Sequence, residues 1–255
     1  MAPHIFRIGA EAHEGICTDS RNQCVIVTGE SGAGKTEAAK QLMRFVTMVG
    51  ISTEAQKATM EGVKRHLLES NPVLESFGNA RTIRNDNSSR FGKYMEMQFT
   101  FKGVIQGGRV TNYLLEKSRV TSQAPGERSF HIFYYLLQGA TEEEKERYGL
   151  LWPREYEFLM KEERIIPGVD DAEEFPKLKE AMLSMGIKRE EQCNLFKLLS
   201  GVLATGNVTF QDHGDGNRAT VMDRSPEGAL HLTAKMMGVD AEALEKALTT
   251  ATLVV

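Results

Sequence analysis

The chain has 255 residues, of which 41% are hydrophobic, so it is long enough for one large domain or two small ones. Its formal net charge of −4 argues against a nucleic-acid partner, and three scattered cysteines argue against a disulfide framework or a zinc site. We expect no secretory leader and no membrane span, and therefore a soluble intracellular protein.

The first predicted elements are a strand, a glycine-rich loop and a helix. Residues 24–28 form a short apolar, β-branched run, which is typical of a buried parallel strand. Residues 29–36 are rich in glycine. The apolar side chains that follow recur at helical spacing, at Leu42, Phe45, Val46 and Val49.

The loop has the pattern G-x-x-x-x-G-K-T, which suits phosphate binding for physical reasons. Glycines let successive backbone N–H groups face an anion, and the N-terminus of the next helix adds positive potential. Lys35 can place a cation against the β- and γ-phosphates of ATP, and the Thr36 hydroxyl can bind Mg²⁺. The predicted phosphate-binding residues are Gly29, Glu30, Ser31, Gly32, Ala33, Gly34, Lys35 and Thr36.

A second polar cluster, Asn85 to Lys93, precedes the next predicted strand. It combines amides, hydroxyls and two cations within nine residues. A P-loop enzyme needs a second element that senses the γ-phosphate and completes the Mg²⁺ shell. The residues alone leave two interpretations open, a functional switch element and an ordinary polar turn.

A hairpin is predicted after this cluster. Residues 94–101 alternate, and four apolar side chains share one face: Met95, Met97, Phe99 and Phe101. A second strand starts at Val104 and continues to Leu115, with a bulge or kink at the glycines of residues 106–108.

The remaining sequence is predicted to be mostly helical. Helices are expected from about Gly126 to Gly139 and over about 142–148, 171–185, 189–204, 226–237 and 240–249. The polar segment Gln211 to Ser225 is expected to be an exposed loop. About 1–120 is therefore α/β, and about 121–255 is mainly α.

These ordered motifs resemble the myosin motor domain over about residues 3–248. Asn85 to Lys93 is similar to the switch I element of that family, and Ala38-Ala39 is nearer to the unconventional classes than to filament-forming myosin. The other matching segments are Gly29–Thr36, Ser70–Thr82, Leu115–Val120, Gly126–Tyr134 and Leu195–Phe210.

The resemblance implies an α/β P-loop NTPase fold with a mixed central sheet and a mostly helical upper 50 kDa subdomain. It assigns the P-loop, switch I and a distal hairpin to about 1–120, and the helical part to about 121–255. The implied function is the ATP-binding and ATP-hydrolysing segment of an actin-based cytoskeletal motor. The implied location is cytoplasmic, in the actin cytoskeleton as part of a myosin complex, with light chains or calmodulin bound only through other regions.

The resemblance also assigns roles to individual residues. Lys35, Ser88 and Arg90 would be catalytic, with Ser88 on the γ-phosphate and Arg90 paired with a glutamate of a third element, switch II. Asn85 would contact the phosphates with Ser88 and Ser89. The Mg²⁺ ligands would be Thr36 and Ser89.

Switch II has the form Asp-x-x-Gly-Phe-Glu in the family, and no D-x-x-G occurs in this sequence. We therefore expect actin-activated ATPase activity in the complete motor and none from residues 1–255 alone. Two alternatives stay open at this point: a truncated non-enzymatic remnant, and a P-loop phosphotransferase of another family.

Overall fold

The structure is a computed structural model that describes residues 4–30, 32–49, 62, 70–159, 165–212 and 219–250. The chain divides into two compact units, Met1–Glu116 and Lys117–Val255. Each unit has its own helices and strands. Among the residues described, no helix is both long enough and apolar enough to cross a membrane.

Two packed helices begin the first unit. Helix α1 (Ile5–Asp19) lies against helix α2 (Lys35–Val46). Phe6 stacks on Phe45 with ring centroids 5.0 Å apart. A Cβ added at Gly9 would lie 2.7 Å from the Phe45 ring, so the helices approach closely at this glycine. This packing fixes the position of α2, the helix that follows the glycine-rich loop.

The prediction of a strand over residues 24–28 is wrong. Residues 21–29 are irregular, and the side chain of Ile26 is 79% exposed. A strand is stabilised by backbone hydrogen bonds to a neighbouring strand, and no described segment pairs with this one. The β-branched side chains of this segment favour a strand, but this preference takes effect only where a neighbouring strand is available for pairing.

The first unit also contains two antiparallel hairpins. Residues 70–78 are helical (α3) and lead into β1 (Asn79–Thr82), which pairs with β2 (Asn85–Ser89). Strand β3 (Gly92–Phe99) pairs with β4 (Ile105–Tyr113). A register shift between Gln98 and Phe99 confirms the predicted bulge near the glycines. Along β3 the half-buried face carries Met95, Met97 and Phe99, as predicted. The prediction is wrong for Phe101, which lies in the turn after β3 and is exposed.

The polar turn considered for Asn85 to Lys93 is wrong for residues 85–89, which form strand β2 paired with β1. Backbone pairing to β1 outweighs the low β-propensity of asparagine and serine. Within the described residues the strands form three two-stranded sheets rather than one mixed central sheet.

The second unit is mostly helical, and its helices begin and end within a few residues of the predicted positions. Local signals agree with this pattern: Thr141 and Glu144 form a capping box, and the Asp170 and Asp240 side chains accept backbone N–H groups at helix starts. The helices are α4 (His131–Gly139), α5 (Glu142–Tyr148), α6 (Asp171–Ser184), α7 (Arg189–Thr205), α8 (Ala229–Met237) and α9 (Ala241–Thr249).

The predicted exposed loop at 211–225 is wrong in part. Strand β5 (Phe210–Asp212) pairs with β6 (Ala219–Val221), and residues 213–218 lie outside the described residues. Val221 is buried and packs with Val208 and Leu230, so apolar contact at the base of the hairpin orders its two strands.

The second unit contains most of the buried apolar side chains. Among the described residues, 21 buried hydrophobic residues fall in this unit and four in the first unit, namely Met43, Val46, Ala80 and Ile105. Helix α4 packs on α6, and a Cβ added at Gly139 would lie 2.4 Å from Phe175. In the part of the chain that the structure describes, the second unit therefore has the larger hydrophobic core.

A buried cation lies beside this core. Arg128 is fully buried, its guanidinium carbon lies 3.7 Å from the ring centroid of Tyr134, and Nη2 donates to Asp171 Oδ2 at 2.8 Å. Burial and the charge of Arg128 lower the pKa of His131 to about 3. His131 is therefore neutral at physiological pH, which suits a structural role.

Candidate functional site

The glycine-rich loop has backbone geometry that its glycines make possible. Gly32 and Gly34 have φ angles of +82° and +83°, in the left-handed region that a β-carbon disfavours. The Ala33 N–H donates to the Glu30 carbonyl at 3.2 Å, and Gly34 directly precedes α2. The loop therefore ends at the N-terminus of a helix, where free N–H groups attract anions. Ser31 lies outside the described residues.

Lys35 is the first residue of α2, and its side chain folds over the loop. Its Nζ donates to the carbonyl oxygens of Gly29 and Glu30, both at 2.6 Å. Thr36 follows in the first turn of the helix and is half-buried. The Lys35 ammonium thus lies at the loop, and Thr36 is the next residue along the helix.

The loop lies close to the hairpin of β1 and β2. A Cβ added at Gly32 would lie 3.9 Å from the Arg84 carbonyl oxygen, in the turn between the two strands. The Asn85 N–H donates to Thr82 Oγ1 at 3.2 Å, and Asn85 Oδ1 accepts from the Asn87 N–H at 2.9 Å. The structure thus brings the glycine-rich loop close to the turn that precedes the second polar cluster.

Strand β2 places its two serines on opposite faces, because successive side chains of a strand alternate. Ser88 is buried, and its Oγ accepts from Arg90 Nη1 at 3.2 Å. Ser89 is exposed, and its Oγ donates to the Phe91 carbonyl at 3.2 Å. Ser89 shares its face with Asn85 and Asn87.

Arg90 is held at three points. Its N–H donates to the Gly78 carbonyl at 2.8 Å, its Nη1 donates to Ser88, and its Nε forms an ion pair with Glu116. A Cβ added at Gly78 would lie 2.2 Å from the Phe91 ring, so this position accommodates only glycine. Glu116 lies 26 residues from Arg90, and no local sequence pattern connects the two.

A second ion-paired group lies between α2 and β2. Lys40 Nζ lies 2.9 Å from Glu75 Oε1 and 3.1 Å from Glu37 Oε1. Burial alone would lower the pKa of Lys40, but the two carboxylates outweigh burial and raise the pKa. Burial also lowers the pKa of Lys93, whose Nζ donates to Asn71 Oδ1 at 3.4 Å. None of these contacts was anticipated from the sequence.

The oxygen-bearing side chains at this site fit a nucleotide bound with Mg²⁺. The described residues contain no group of three or more His, Cys, Asp or Glu side chains that could hold a metal. Hydroxyls are nevertheless available at Thr36 and Ser89, and Mg²⁺ commonly binds to few protein oxygens together with substrate phosphates and water.

The comparison with known proteins identifies the family. The model for the myosin head (motor domain) matches residues 1–255. Myosin IA heavy chain of Dictyostelium discoideum is 46% identical over 253 residues, which cover 97% of this chain and 25% of that protein. Myosin heavy chain IB of Acanthamoeba castellanii is 48% identical over 225 residues, 88% of this chain and 19% of that protein. The chain belongs to the myosin head family.

This finding confirms the resemblance seen in the sequence, including the unconventional class, since both relatives are myosin I heavy chains. It also excludes the alternative of a P-loop phosphotransferase from another family. The chain spans a quarter or less of the length of these relatives.

Proposed function

We propose that this chain is the ATP-binding and ATP-hydrolysing segment of an actin-based cytoskeletal motor, an actin-activated ATPase when complete. One observation carries the proposal: the loop of residues 29–36 leads into α2 and lies against the hairpin that presents Asn85–Ser89. Membership in the myosin head family supports the motor function.

Binding of ATP would use the loop and the start of α2. The backbone N–H groups of residues 29–36, including Glu30, Ser31 and Ala33, would surround the phosphates, and Lys35 would exchange its contacts with the Gly29 and Glu30 carbonyls for contacts with phosphate oxygens. Charge-assisted hydrogen bonds of this kind are about twice as strong as neutral ones. Thr36 and Ser89 would hold Mg²⁺, which neutralises phosphate charge when bound.

Hydrolysis would use residues on both faces of strand β2, the buried Ser88 and the partly exposed Asn85. The Ser88 hydroxyl would contact the γ-phosphate and hold a proton of the attacking water, while Asn85 would orient the phosphates. Arg90 fixes the Ser88 hydroxyl through the Nη1 contact. In the complete motor Arg90 would pair with the switch II glutamate, and in this chain its carboxylate partner is Glu116.

Actin filaments would be the macromolecular partner. The helical second unit, with the β5–β6 hairpin, would form the upper side of an actin-binding cleft. Light chains or calmodulin would bind to parts of the protein outside residues 1–255, in a cytoplasmic myosin complex. The proposal includes no nucleic-acid partner and no transmembrane segment.

Ser88 and Ser89 are expected to have separable roles because β2 directs them to opposite faces. In the complete heavy chain, Ser89→Ala should raise the Mg²⁺ concentration needed for half-maximal ATPase activity by about tenfold, since a metal ligand is lost. Ser88→Ala should slow hydrolysis by about a hundredfold while the Mg²⁺ requirement stays unchanged. Mg²⁺ titrations of steady-state turnover measure both effects.

The conservative variant Ser89→Thr is the control, because it retains the hydroxyl. Coinciding Mg²⁺ titrations of Ser88→Ala, Ser89→Ala and the wild type would show that Ser89 is not a metal ligand.

A further inference from the structure

A bridge of polar side chains connects the helix of the phosphate loop to the switch I strand. Lys40 Nζ of α2 lies 2.9 Å from Glu75 Oε1, and Asn87 Nδ2 of β2 donates to Glu75 Oε2 at 3.0 Å. One oxygen of the carboxylate is therefore in an ion pair and the other accepts a hydrogen bond. Glu75 itself belongs to α3, so the bridge joins three elements of the first unit.

Both ends of the bridge lie beside residues proposed to bind MgATP. Lys40 follows Thr36 by four residues on α2, so the two side chains share one face of the helix. Asn87 lies between Asn85 and Ser89 on one face of β2. The bridge therefore spans from the Thr36 side of the site to the Ser89 side.

The bridge is ordered and partly shielded from water. The side chain of Glu75 is 17% exposed, whereas that of Glu37, the other carboxylate on Lys40, is 67% exposed. Asn79 is buried, and its Nδ2 donates to Asn87 Oδ1 at 2.9 Å. This contact turns the Asn87 amide so that its Nδ2 faces Glu75. An ion pair that is partly withdrawn from solvent is screened less than a surface pair.

We propose that Glu75 is a positioning residue for ATP hydrolysis, which acts through Lys40 and Asn87 to hold Thr36 at a fixed separation from Asn85 and Ser89. The inference rests on the proposed function. A small displacement of one half of such a site slows the chemical step even when the ligand still binds.

The test uses Glu75→Gln in the complete heavy chain. Glutamine keeps the size of the side chain but replaces one carboxylate oxygen with an NH₂ group, which must then face a donor, either Lys40 Nζ or Asn87 Nδ2. We expect kcat of the MgATPase to fall by about tenfold or more, and KM for ATP to change by less than about threefold. Concentrations are normalised by titration of active sites, so that loss of folded protein does not count as loss of kcat.

Glu37→Gln is the matched control, because it removes the exposed carboxylate from the same lysine and leaves the bridge intact; we expect kcat within about twofold of the wild type. Lys40→Met removes the same ion pair from the other end and should lower kcat in the same way. The double variant Lys40→Met/Glu75→Gln should be no slower than the slower single variant, because both changes break one bridge.

A kcat for Glu75→Gln equal to that of Glu37→Gln would overturn the inference, as would purely additive losses in the double variant. If Glu75→Gln does not fold, the test rests on Lys40→Met alone. A kcat of Lys40→Met within about twofold of the wild type would then overturn the inference. A wild-type chain without MgATP turnover would instead contradict the proposed function itself.

Discussion

Replacing Lys35 with alanine in the complete heavy chain should lower the affinity for ATP by about a hundredfold or more. The reason is the loss of a cation at the N-terminus of α2 that, in the proposed function, would face several phosphate charges. Hydrogen bonds to charged groups contribute roughly 1.5–3 kcal/mol each, and the lysine would make two or more of them. Equilibrium binding of a fluorescent ATP analogue in the presence of Mg²⁺ measures the effect.

Lys102→Ala is the control for this experiment. Lys102 is an exposed lysine of the same unit, in the turn between β3 and β4, and its removal changes the net charge equally. We expect its nucleotide affinity to match the wild type. Binding by Lys35→Ala within a few-fold of the wild type would show that residues 29–36 are not the phosphate site.

A protein consisting of residues 1–255 alone should lack actin-activated ATPase activity, and its first unit should be unstable. Residues 24–28 have no strand partner among the described residues, and their apolar side chains are exposed. The described part of the first unit has four buried hydrophobic residues against 21 in the second. A domain is stabilised by only about 5–15 kcal/mol, so a unit with a small core and an unpaired apolar segment is marginal.

Hydrogen exchange measured by mass spectrometry separates the two units. We expect slow exchange in α4, α6 and α7 and fast exchange over residues 21–49. Turnover of ATP should be equally low with and without actin filaments. Slow exchange in both units, together with turnover that rises with actin, would contradict this prediction.

The sequence predicts the second unit well because its signals are local. Thr141 with Glu144, Asp170 and Asp240 mark helix starts, and the periodic apolar residues of α4, α6 and α7 mark the buried faces. Each of these signals involves residues close together in the sequence, so it can be recognised from the sequence alone. For that reason the predicted helix positions agree with those in the structure.

The first unit is predicted less well because its structure depends on distant pairing. The segment 24–28 has strand composition but pairs with no strand in the part of the chain that the structure describes, whereas the polar residues 85–89 form a strand because β1 pairs with them. Strand formation is therefore decided by context rather than by composition.

The candidate site likewise contains residues that the sequence predicts and residues that it does not. The residues with a motif, such as Lys35, Thr36 and Ser88, are evident from the sequence. Glu75 contacts Lys40 and Asn87, and Glu116 contacts Arg90. Neither glutamate is evident from the sequence, because its partners are distant along the chain and no spacing rule connects the pairs. The supporting contacts of a site become visible only in three dimensions.

The proposed motor function is tested most directly by the steady-state MgATPase rate of the complete heavy chain, measured over a range of actin filament concentrations. We expect turnover that rises with actin and saturates, and that is lost in Lys35→Ala. A wild-type chain that shows no turnover at any actin concentration would instead be a non-enzymatic remnant. A rate that is measurable but independent of actin would equally contradict the assignment of this chain to an actin-activated motor.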